Sequence, residues 1–89
     1  MESKLKEFEG FIKKLALYYG KKFCMPWEDL YQEGCLALII AERNYRNLKP
    51  GELNLVLKKI INRRMYDLVE AEVRKRHFEK PFEEQNEAD

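Results

Sequence analysis

The sequence predicts an all-α protein, a three-helix bundle, and three observations predict it. Apolar residues recur at three- and four-residue steps in three separate stretches. Runs that alternate apolar and polar side chains, the pattern of a half-buried strand, are absent. Pro26 and the Pro50-Gly51 pair fall between the periodic stretches, where chain breaks belong.

The first helix is expected over 3–19, with Ser3 as N-cap. Leu5, Phe8, Ile12, Leu15 and Tyr19 share one face of it. Gly20 stands where a helix C-cap is expected, and 21–26 reads as a connector. The second helix is expected from Pro26 or Trp27 to Tyr45. Glu28 and Asp29 lie in its first turn, where the helix dipole favours acids. Its inner face carries Trp27, Leu30, Gly34, Leu38, Ala41 and Tyr45. A glycine inside a helix costs about 1 kcal/mol relative to alanine, so Gly34 implies a closely packed neighbour. After a turn at 47–51, the third helix is expected over 52–77, with Leu53, Leu57, Ile60, Ile61, Met65 and Leu68 turned inward. Residues 1–78 then form one helical domain, and 79–89 an acidic, disordered tail.

Size limits this core. A chain of 89 residues buries only about 60–65% of its unfolded surface, so one small core carries the stability. A composition 45% hydrophobic and 37% charged is that of a folded chain, not a disordered one. No stretch approaches the roughly 20 apolar residues of a membrane span, and the N-terminus lacks a signal-peptide core. The expected location is the cytoplasm, with no membrane partner. Cys24 and Cys35 have no CxxC partner or matched His pair, so both read as reduced thiols, Cys35 in the core and Cys24 in a loop.

Catalysis has little to work with. The chain has one His (His77), one Ser (Ser3) and no Thr, and no acid–base pair or Gly-rich phosphate loop has the required spacing. It is read as a non-enzyme that needs no cofactor and binds no metal. The net charge of +1 hides an asymmetry. Between Lys58 and Arg76 seven basic residues face three acidic ones, a net +4, whereas 79–89 carries five acids against Lys80, a net −4. That pattern suits an anionic partner with a tail able to screen it, and equally a solvated helix with a frayed end.

Two faces are not accounted for by the core. On the second helix Asp29, Gln32, Glu33, Leu36, Ile40 and Arg43 lie together, opposite the Trp27–Leu38 side. An apolar pair flanked by carboxylates and an amide suits the docking of a basic partner. Alternatively, this helix is central and its neighbours cover both sides. On the third helix Lys58, Lys59, Asn62, Arg63 and Tyr66 project outward. The cations suit phosphates, Asn62 a base edge, and Tyr66 an unpaired base, unless this is an ordinary solvated face. Arg64 falls on the apolar side, where it snorkels or pairs with a carboxylate.

The run Asp29-Leu30-Tyr31-Gln32-Glu33-Gly34, followed by Leu36, Leu38, Ala41 and the closing aromatic Tyr45, resembles region 2 of the sigma-70 family of transcription initiation factors. Tyr18-Tyr19-Gly20-Lys21-Lys22 is similar to the end of the family's preceding helix, and the stretch from Ile60 to Leu68 to its promoter-recognition helix. The likeness spans roughly 5–76. It implies a helical domain that binds core bacterial RNA polymerase, with Asp29, Gln32 and Glu33 on the coiled coil of the β′ clamp. Lys58, Lys59, Asn62, Arg63 and Tyr66 would face the −10 element of promoter DNA.

The departures carry implications of their own. Promoter-melting members place aromatics at the start of the third helix, where this chain has Leu53, Asn54 and Val56, so weaker base capture is implied. Glu70 stands where the family often has Arg. No counterpart of the family's −35-reading helix-turn-helix follows Arg76, which implies either a fragment of a longer chain or a separate partner, a second sigma-like subunit, that carries it. The alternative is a regulatory module of the same fold that holds polymerase or another protein without opening DNA. A third reading, a plain duplex binder, has the acidic tail and modest net charge against it.

Overall fold

The computed structural model describes residues 2–79, and they form three helices: α1 (Glu2–Phe23), α2 (Trp27–Asn44) and α3 (Pro50–Glu79). The fold is the expected all-α three-helix bundle. Residues 80–89, most of the tail expected to be disordered, lie outside the described residues.

Each helix contributes one apolar stripe. Phe8, Ile12 and Ala16 of α1, Leu30, Leu38 and Ala41 of α2, and Leu53, Leu57, Ile61, Met65 and Val69 of α3 make the core. Leu5, Leu15, Tyr19, Trp27, Cys35, Ile60 and Leu68 pack around it half-buried. On α3 the buried residues therefore recur every fourth position, with Val69 rather than Leu68 at the end of the line. A four-residue step overshoots one turn by about 40°, so the line of burial winds around the helix. A stripe drawn straight down the helix selects the wrong neighbour by its last turns.

Gly34 sits where the three helices meet. A Cβ there would stand 2.6 Å from Met65 Cε and 2.8 Å from Ile12 Cγ2. The close packing implied by a mid-helix glycine is present, and its partners come from both other helices.

The boundaries differ from the sequence reading at five places, one of them the end of α3, which runs to Glu79 rather than His77 and so takes in the first residue of the expected tail. Ser3 lies inside α1, which begins at Glu2, so it does not precede the helix as a cap. At the other end α1 runs through Gly20 to Phe23. The left-handed residue that closes it is Cys24, at φ 55°, and the Met25 N–H donates to the Gly20 carbonyl at 2.9 Å. This is a Schellman closure with cysteine where glycine is usual. Gly20 serves a different need: a Cβ there would lie 2.9 Å from the Met25 carbonyl oxygen and 3.1 Å from Trp27 Cβ. α2 ends at Asn44, and Tyr45 is a half-exposed cap residue rather than part of the core. α3 begins at Pro50, which has no N–H to lose and a φ already set for a first turn.

The contacts of α3 fix the topology. Lys4 Nζ donates to Asn54 Oδ1 (2.7 Å), and Tyr19 Oη to Asn62 Oδ1 (2.9 Å). Arg76 Nη1 and Nη2 donate to the carbonyls of Phe23 (2.7 Å) and Cys24 (2.8 Å). Ascending positions on α1 meet ascending positions on α3, so these helices run parallel, with α2 reversed and packed along both. One side of α2 is left facing outward.

Candidate protein and nucleic-acid interface

That outward side carries the strip singled out in the sequence. Asp29, Gln32 and Arg43 are exposed, and Leu36 and Ile40 are each 50% exposed. The strip is thus not covered by α1 or α3, which removes the alternative in which neighbours bury it. Glu33 is the exception. It is half-buried, and its Oε1 accepts from Arg64 Nη2 at 2.8 Å and Arg64 Nε at 3.2 Å. Arg64 therefore takes the carboxylate partner expected of a cation on an apolar side. The pair is open to water on both sides, which limits it to roughly 0–1 kcal/mol. Asp29 and Gln32 border a smaller cleft against Leu68, Glu72 and Lys75 of α3.

The five residues on α3 are all exposed, but the bundle divides them. Lys59 and Arg63 lean toward α2, where they line a groove of about 690 Å³ with Leu36, Ile40 and Tyr45. Lys58 and Asn62 turn toward α1. Lys58 Nζ lies 5.7 Å from the Phe11 ring centre, and Asn62 is engaged by the Tyr19 hydroxyl. Tyr66 is 50% exposed. Burial above all, then Tyr18 and Tyr66, push the Tyr19 hydroxyl above its ordinary pKa.

Two of these residues do less than the sequence suggested. Arg63 Nε donates to both oxygens of Asp67, at 3.1 and 3.3 Å, so part of its charge is already matched by its own helix. Asn62 has one lone pair of its carbonyl oxygen engaged by Tyr19, leaving the other and its amide N–H groups to read a base. At the start of α3, Leu53 is buried and Asn54 holds Lys4. The start of α3 is thus spent largely on packing, with Leu55, 64% exposed, as its outward residue.

Sequence reasoning missed three participants. Tyr45 lines the groove because α2 stops one residue before it. Arg76 reaches back to the α1–α2 connection, which only the parallel run of α1 and α3 reveals. Tyr18 stands exposed beside Tyr19, their ring centres 5.4 Å apart, and its Tyr-Tyr-Gly context drew attention only to the helix end. Burial pushes the pKa of the Cys35 thiol up, which favours its protonated form. Cys24 is exposed in the connector. No helix among the described residues is long and apolar enough to cross a membrane.

Comparison with protein-family models, with curated proteins and with solved structures returns no match to this chain.

Proposed function

We propose that the chain is a sigma-like transcription initiation subunit. It binds core bacterial RNA polymerase through the outer side of α2 and −10 promoter DNA through α3. One observation carries the reading: of the three polar residues of the Asp-Leu-x-Gln-Glu-Gly run that would meet the polymerase, Asp29 and Gln32 are exposed on α2 and Glu33 lies at the rim. Leu30 and Gly34 of the same run point into the bundle. A single hexapeptide thus divides into two core positions and three polar positions facing away from the core or at its rim.

The docking chemistry is additive. Leu36 and Ile40 supply apolar area, which gains on the order of 25 cal/mol for each Å² taken from water. Asp29 and Gln32 give oxygens to Arg or Lys of the clamp coiled coil, and a charge-assisted bond is about twice as strong as a neutral one. Lys58, Lys59 and Arg63 meet phosphates, Asn62 a base edge, and Tyr66 an unpaired base. No cofactor takes part, and the protein works by binding energy in the cytoplasm where its polymerase is.

A second reading shares the α2 contact and omits DNA opening. The packed start of α3 and the Arg63–Asp67 pair favour it, because both remove groups that would hold melted bases or phosphate.

Capture of core polymerase by the immobilised chain tests what both readings share. Asp29 is exposed and makes no hydrogen bond or ion pair among the described residues, so Asp29→Lys leaves the bundle intact. Expected is a loss of capture of tenfold or more, since truncating or reversing a desolvated charge contact costs about 2–5 kcal/mol. Capture unchanged by Asp29→Lys removes α2 from the interface.

A further inference from the structure

The outer strip of α2 has a symmetry that the polymerase reading does not use. Leu36 and Ile40 stand two residues either side of Leu38, Glu33 and Arg43 five residues either side, and Gln32 and Asn44 six. Leu38 is fully buried, so the strip crosses the outer surface above it. At 100° per residue Glu33, Leu36, Ile40 and Arg43 share an arc of roughly 80°. Acid lies at one end, base at the other, and the apolar pair in the middle.

Reversed end for end, such a strip complements itself. We propose that α2 pairs antiparallel, across a two-fold axis, with α2 of a second copy of this chain. Leu36 then meets the partner copy's Ile40, and Glu33 meets its Arg43, each contact occurring twice as an isologous interface requires. The atoms are open for it. Both Arg64 bonds fall on Oε1 of Glu33, leaving Oε2 to accept from the other copy. Arg43 makes no ion pair with any described carboxylate. Leu36 and Ile40, each 50% exposed, lose water from both copies at once.

The charge order is also complementary to a second copy. A uniformly basic partner leaves Arg43 opposed by a like charge, and a uniformly acidic one does the same to Asp29 and Glu33. A partner with the opposite order satisfies both ends, and the strip itself read backwards has that order. The contact extends about 20 Å along the helix. It therefore lies at the small end of protein interfaces, and the dimer is weak and reversible. One consequence rests on the proposed function. The strip cannot face a second copy and the polymerase together, so self-association withholds the chain from polymerase.

Sedimentation equilibrium of the whole chain from about 10 µM to about 1 mM, the range of a contact this small, reads the association. Expected is a rise from monomer mass toward dimer mass. Arg43→Glu and Glu33→Arg each weaken it by at least about tenfold, because like charges then meet twice. The double variant Glu33→Arg/Arg43→Glu exchanges the ends and regains association within about threefold of the parent, while helicity by circular dichroism stays unchanged in all three. Leu36→Asn, at an exposed position, abolishes association without altering the charges. A chain that stays monomeric throughout overturns the proposal, as do single reversals that associate like the parent or a double variant that does not recover. A monomer that still captures polymerase removes self-association alone, and a dimer indifferent to polymerase removes the docking reading alone.

Discussion

Cys24 holds a backbone conformation that L residues other than glycine, asparagine and aspartate seldom adopt, at φ 55°. The left-handed region costs about 1–2 kcal/mol for a residue with a Cβ. Two sets of bonds offset that cost: the closure from Met25 to Gly20, and the two charged bonds from Arg76 to the carbonyls of Phe23 and Cys24. The Phe23 carbonyl is among the helix-end acceptors that have no partner within α1. Gly20 looked like the stop in the sequence because glycine is the usual left-handed residue. Its absent side chain is instead needed for the approach of Met25 and Trp27, a contact between residues that no periodicity encodes. Replacing the strained residue separates these roles. Cys24→Gly is expected to stabilise the fold by about 0.5–1 kcal/mol in urea denaturation, with an unchanged slope. Destabilisation by that change would place the strain elsewhere.

At the scale of the helices, the inward faces of α1 and α2 were legible, because each holds one stripe at regular spacing. Tyr45 escaped, since a residue that ends a helix no longer follows its 100° step, and so did the last turns of α3, where burial winds from Leu53 to Val69. Gly34 was legible in a different way: a conformational cost inside a helix points to a neighbour that needs the space. Those neighbours are Met65 and Ile12. A Cβ at 2.8 Å from the branched Ile12 carbon cannot be accommodated by one side chain swinging aside, so a larger residue pushes α1 and α3 away from α2. Gly34→Val is expected to destabilise by about 1–3 kcal/mol, read as a lower denaturation midpoint. A neutral or stabilising result would mean that the three-helix junction is looser than its distances indicate.

For the whole molecule, the order of helices was readable but their mutual placement was not. The outer strip of α2 could be drawn from angular spacing alone, yet whether neighbours covered it depended on α1 and α3 running parallel on its other sides. That arrangement leaves Leu36 and Ile40 half-exposed. It also brings Lys59 and Arg63, read from the sequence as part of a separate nucleic-acid face, to the rim of the same groove as Leu36. The two proposed contacts are therefore neighbours, and a protein bound on α2 comes close to α3's cations. The Glu33–Arg64 bridge, between residues 31 apart in the chain, was legible only as a need for some carboxylate.

The central claim is that the outer side of α2 is a protein-docking surface for polymerase. Its most direct test places a photo-reactive side chain at Leu36, irradiates the chain with core polymerase, and identifies the cross-linked subunit and segment. The expected result is a cross-link to the coiled coil of the β′ clamp, reduced when unlabelled chain competes and absent when the same group is placed at Lys14 on α1. Cross-linking no stronger from Leu36 than from Lys14, or directed to no single segment, would contradict it.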